Sequence, residues 1–90
     1  MRLNHAYKLN EVAGEFMVIY TGTRSANLSK VYSLNRSAAW LWRKIGTADF
    51  TEEMLVEWLC EEYVLPKEVA RKDVHSLVVL WQKSGMVLTE

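Results

Sequence analysis

Val31-Tyr32-Ser33-Leu34-Asn35-Arg36-Ser37-Ala38-Ala39-Trp40-Leu41-Trp42-Arg43-Lys44-Ile45 decides how the chain is laid out. Val31 and Ser33 alternate with Tyr32 and Leu34, the period of a short strand with one face inward. Asn35 follows at once. Its side-chain oxygen can accept a backbone N–H two or three residues on, which suits a helix N-cap. Ala38, Leu41, Trp42 and Ile45 then recur at i, i+3, i+4 and i+7, a stripe that faces a core. Gly46 suits the C-cap. Trp40 lies off the stripe and is expected to cover the sheet edge, pack on a loop or sit at a partner surface.

Upstream of this junction the pattern is that of strands. Leu3 to Val12 alternates weakly, with Tyr7, Leu9 and Glu11 on one side and Lys8, Asn10 and Val12 on the other. Ala13-Gly14-Glu15 supplies a turn, because Gly14 tolerates positive φ. Phe16 to Tyr20 is aromatic, β-branched and too short for a helix, so it reads as a central strand paired with the first in a hairpin. Thr21 to Lys30 is polar and reads as a long loop.

Downstream the pattern is helical. Thr51 can cap a second helix with Glu52 and Glu53 in its first turn, where acidic groups suit the positive helix end. Met54, Leu55, Trp58, Leu59 and Tyr63 form its apolar face, and Pro66 is expected to stop it. A third helix spans about Lys67 to Ser84. Ala70, Val74, Leu77, Val78 and Trp81 form its main stripe, and Val79 and Leu80 widen the arc. Met86 to Leu88 is an extended tail suited to pinning down the C-terminus. The result is a single α+β domain over 1–90: an N-terminal three-stranded antiparallel sheet, then three helices, in a winged-helix-like arrangement.

Half of the 90 residues are hydrophobic and 11% are aromatic, enough for a core without disulfide or metal. Eleven basic and eleven acidic residues cancel. This balance disfavours a nucleic-acid partner, which demands a basic stripe. Arg43-Lys44 and Arg71-Lys72 are only pairs. Cys60 has no disulfide partner and fits a reducing compartment. The N-terminus lacks an apolar run before a small-residue site, and no stretch is long and apolar enough to span a membrane. The cytoplasm is the expected location.

No catalytic set is legible. His5 lies near the N-terminus. His75 has Asp73 two positions away, a spacing that does not place both on one helical face. Ser76 has no base at i+3 or i+4, and the glycines are dispersed. No Cys/His spacing suits zinc. The expectation is a binding protein with no catalytic, cofactor or metal residues. The apolar middle of the third helix suits a peptide better than a phosphate backbone. In a meander, Val31–Leu34 is an edge strand whose free N–H and C=O groups can pair with an extended peptide, next to a groove against the third helix.

The ordered set resembles the PqqD family, named after pyrroloquinoline quinone synthesis protein D. It comprises Phe16–Tyr20; Tyr32-x-Leu34-Asn35 with Ala38, Ala39 and Trp42; Gly46; Thr51, Leu55, Leu59 and Tyr63; and Asp73-Val74 with Leu77, Trp81, Gly85 and Val87-Leu88. Each piece is weak alone; the order and spacing carry the likeness. The resemblance implies a peptide chaperone that binds the leader of a ribosomally made precursor as an added strand. It would present that leader to a separate modifying enzyme, commonly a radical SAM maturase. Carried onto this chain, the peptide lies along Val31, Tyr32, Ser33 and Leu34. Lys72, His75, Ser76, Val79, Gln82 and Lys83 are the candidates on the helix wall. Leu34-Asn35 and Asp73 read as structural, serving a cap or a tie between helices. A winged-helix nucleic-acid binder and an oligomeric adaptor remain alternatives, and the edge that takes a peptide can also take a second copy in a homodimer.

Overall fold

The computed structural model describes residues 1–21 and 31–89. The segment 22–30, most of the expected loop, lies outside the described residues. The elements are β1 (Arg2–Leu3), β2 (Tyr7–Val12), β3 (Glu15–Tyr20), β4 (Val31–Leu34), α1 (Arg36–Ile45), α2 (Glu52–Glu62), α3 (Lys67–Lys83) and β5 (Val87–Leu88). The fold is α+β, with the three-stranded antiparallel sheet in the order β2-β3-β4 followed by the three helices.

The hairpin between β2 and β3 turns on Ala13 and Gly14, both at positive φ (53° and 81°). Two such residues in a two-residue loop match the right-handed twist of the strands they join. That turn pairs Val12 with Glu15 and sets the register back to Tyr7 opposite Tyr20. One face of the sheet carries Tyr7, Leu9, Phe16, Val18, Tyr20, Tyr32 and Leu34, all in or against the core. The other face carries Lys8, Asn10, Met17, Ile19, Val31 and Ser33.

The single short, half-exposed strand expected within Leu3–Val12 is two strands. Arg2–Leu3 pairs with Val87–Leu88 in a separate two-stranded ribbon. Between β1 and β2, Asn4 forms the corner. Its Oδ1 accepts from the Ala6 N–H at 3.0 Å, and its Nδ2 donates to the Gly85 carbonyl at 3.0 Å. The Tyr7 hydroxyl donates to the Ser84 carbonyl at 2.7 Å. The extended tail is therefore clasped from both sides by the N-terminus.

Each helix end follows local chemistry. The Asn35 side chain accepts from the Ala38 N–H at 2.8 Å, and the Thr51 hydroxyl accepts from the Met54 N–H at 3.2 Å. Gly46 closes α1 at φ 58°, its N–H donating to the Trp42 carbonyl. Pro66 does not end α2, which finishes at Glu62. It instead sits at the N-cap of α3, where its lack of an N–H leaves no helix donor unmet.

The core lies between the sheet and the helices. Trp81 is fully buried, and the Trp42 and Trp81 rings meet edge to face, 5.3 Å apart at 83°. Ala38, Leu41, Trp42 and Ile45 are all buried, as their spacing requires. Val56, not placed on the α2 face by its sequence pattern, is buried there with Leu55 and Leu59. Trp40 packs its ring edge to face on Tyr63, 6.1 Å away, and has the Lys44 ammonium 5.6 Å from its ring. It thus joins α1 to the end of α2; the long loop on which it was expected to pack lies outside the described residues.

Candidate functional site

Which backbone groups of β4 are open follows from the sheet's alternation. In an antiparallel pair, residues that exchange both hydrogen bonds alternate with residues that exchange none. The Thr21 N–H donates to the Ala6 carbonyl at 2.6 Å, and the register places these two opposite each other just beyond Tyr7 and Tyr20. Counting in steps of two, Lys8–Ile19, Asn10–Met17 and Val12–Glu15 are the bonded pairs. The tight turn demands the same of Val12 and Glu15. Met17 and Ile19 therefore point their polar groups at β2, while Phe16 and Val18 point theirs at β4. Their partners across the ladder are Leu34 and Tyr32. The N–H and C=O groups of Val31 and Ser33 consequently face away from the sheet. β4 is an edge in the described sheet, and its outward groups are a template for another strand.

Just past the end of this edge, starting at Asn35, is a cleft of about 540 Å³. Its walls come from the start of α1 (Asn35, Ser37, Ala38, Leu41), the end of α2 and the connector (Leu59, Tyr63, Leu65), and one flank of α3. The α3 flank consists of Asp73, Val74, Ser76, Leu77 and Leu80. Leu80 is half exposed and Leu77 partly buried. Size and apolar lining are those of a site for side chains or a small ligand. The cap at Asn35 does double service: it starts α1 and brings the end of β4 to the cleft rim.

Of the helix residues expected on the wall, Ser76 lines the cleft. Lys72, His75, Val79, Gln82 and Lys83 do not. His75 Nδ1 lies 3.1 Å from Glu52 Oε1, across the α2–α3 contact. Arg71 and Lys67 meet Glu53 on that same flank, at 3.3 and 3.8 Å. The Gln82 amide reaches Met1 Sδ at 3.5 Å. Asp73, expected as a cap or an interhelical tie, is neither: it is exposed, and makes no ion pair among the described residues. Arg43 holds Glu11 at 3.2 Å and stacks on Phe16. The cleft-lining flank has a spacing that is visible only once the flank is known. Asp73, Leu77 and Leu80 recur at i, i+4 and i+7, and Leu80 was already in excess of one core stripe.

Among the described residues no group of three or more His, Cys, Asp or Glu is placed to hold a metal ion. No described helix is long and apolar enough to cross a membrane. An open strand edge that leads at Asn35 to an apolar cleft is the geometry that strand addition uses.

The chain belongs to the family described as coenzyme PQQ synthesis protein D (PqqD), whose model matches residues 16–87. No curated protein matches the sequence. Two solved structures share the fold. One is TbiB1 in complex with the TbiA(beta) leader peptide, at 14% identity and TM-score 0.75, covering 100% of this chain and 98% of that one. The other is lasso peptide synthetase B1 complexed with its leader peptide, at 19% identity and TM-score 0.71, covering 98% and 96%. At these identities the likeness is one of fold.

Proposed function

We propose that this protein binds the leader region of a ribosomally synthesised precursor peptide as a strand added to β4, and presents it to a separate modifying enzyme. The observation that carries the reading is the outward-facing backbone of Val31 and Ser33 next to the cleft. Main-chain pairing supplies affinity without regard to sequence, and the cleft supplies selection through alternate side chains. Membership of the PqqD family and the leader-bound state of both structural neighbours support it. The protein itself acts as a non-catalytic carrier in the cytoplasm, and the partner is a peptide-modifying enzyme, a radical SAM maturase being the class the family resemblance implies.

The test is titration of isotope-labelled protein with the synthetic leader of a precursor peptide encoded beside this gene. Binding by strand addition moves the amide signals of Val31–Leu34 and of the cleft residues Leu77 and Leu80. Shifts confined to the α2–α3 flank around His75, or no binding, overturn the proposal.

A further inference from the structure

We infer that the cleft selects a peptide carrying a basic side chain beside an apolar one, with Asp73 receiving the cation. The inference rests on the strand-addition reading and names the chemistry of the segment that is added.

Among the described residues twelve line the cleft, and Asp73 is the one charged residue of the twelve. The rest are apolar residues and the neutral polar residues Asn35, Ser37, Ser76 and Tyr63. Nothing on its own helix neutralises Asp73. Its neighbours at three and four residues are Val69, Ala70, Ser76 and Leu77, none of them basic. The α2 acids that face the opposite flank of α3 are engaged, Glu52 with His75 and Glu53 with Lys67 and Arg71. Asp73 is thus an exposed carboxylate on a cleft wall whose other described residues carry no charge.

Water is what a bound peptide removes. A peptide added along Val31 and Ser33 and continued past Asn35 reaches the cleft rim, and a carboxylate that loses hydration there without gaining a partner opposes binding. A peptide with Glu or Asp at that point adds repulsion. A Lys or Arg removes both penalties. Its aliphatic stem can lie over Leu77 and Leu80 while its head reaches the carboxylate. The bulk of the cleft then takes the neighbouring apolar side chain.

The experiment is selection from a display library of random linear peptides, run in parallel on the wild-type protein and on Asp73→Lys. Asp73 is exposed and unpaired among the described residues, so the variant keeps its fold, which circular dichroism confirms. Wild type should enrich Lys or Arg at a fixed offset from an apolar anchor, and Asp73→Lys should replace that preference by Asp or Glu. Exchanging the basic residue of a recovered peptide for Gln should weaken binding to wild type about fivefold, and should leave binding to Asp73→Asn unchanged. Recovered peptides that shift the Val31–Leu34 amides but show no charge preference, or the same one with Asp73→Lys, overturn the inference while strand addition stands. Peptides that leave those amides unmoved, or no enrichment, overturn both.

Discussion

Asn35 shows how one residue can serve fold and site together. Its Oδ1 holds the Ala38 N–H and also accepts from the Ser37 hydroxyl at 3.1 Å, while its own position forms part of the cleft rim. Asn35→Ala removes the cap and should lower unfolding free energy by about 1 kcal/mol, measured by urea denaturation. Tyr7 makes a second residue-scale case. Burial pushes its phenol above the ordinary tyrosine value, with Tyr32 and Tyr20 beside it adding to the shift. The native state therefore keeps this proton more tightly than the unfolded chain does. The corresponding stability is fully present below about pH 10 and is lost as pH rises through the higher native value. Tyr7→Phe should lose about 1 kcal/mol at neutral pH, through the missing bond to Ser84. It should also flatten the alkaline fall in stability seen by thermal melts in the wild type. An equally steep fall in the variant would assign that fall to other groups.

At the scale of the element, β4 and α3 carry the functional argument. Parity along β4 makes its residues unequal. A proline removes an N–H, and it is tolerated at an edge where that N–H faces outward. Ser33→Pro should therefore stay folded and lose leader binding, whereas Tyr32→Pro breaks a bond to β3 and should be destabilised. Circular dichroism and fluorescence anisotropy with a labelled leader separate the two. The reverse ranking, with Ser33→Pro unfolded and Tyr32→Pro intact, would mean that the ladder runs on the other parity. The junction Val31–Ile45 was legible from sequence because strand period, cap and helix period agree there. The α3 wall was not. Periodicity locates the face that meets the core, but which flank stays open depends on where α2 packs. The ion pairs from Glu52 and Glu53 that mark the covered flank join residues about twenty apart in sequence. Likewise, the break between β1 and β2 is enforced by Asn4 reaching Gly85 across almost the whole chain, which no local pattern reveals.

In the whole molecule, the clasp of the N-terminus on the C-terminal tail and the Trp42–Trp81 contact close one core, and among the described residues β4 stays an edge of the sheet. A chain of this size is stable by roughly 5–13 kcal/mol. Trp81→Ala empties the centre of that core and should cost about 3–5 kcal/mol, enough to unfold much of the population at physiological temperature. Loss of leader binding in that variant should track the unfolded fraction. Asp73→Lys, in contrast, should change which peptides bind without changing the melting temperature. The claim that joins these scales is that β4 is an unfilled template whose open groups belong to Val31 and Ser33. Amide hydrogen exchange of free and leader-bound protein tests it most directly. In the free protein the amides of Tyr32 and Leu34 should exchange slowly and those of Val31 and Ser33 quickly, and leader addition should protect Val31 and Ser33 selectively. If Val31 and Ser33 stay as fast in the complex as in the free protein, the peptide is not held as an added strand of this sheet.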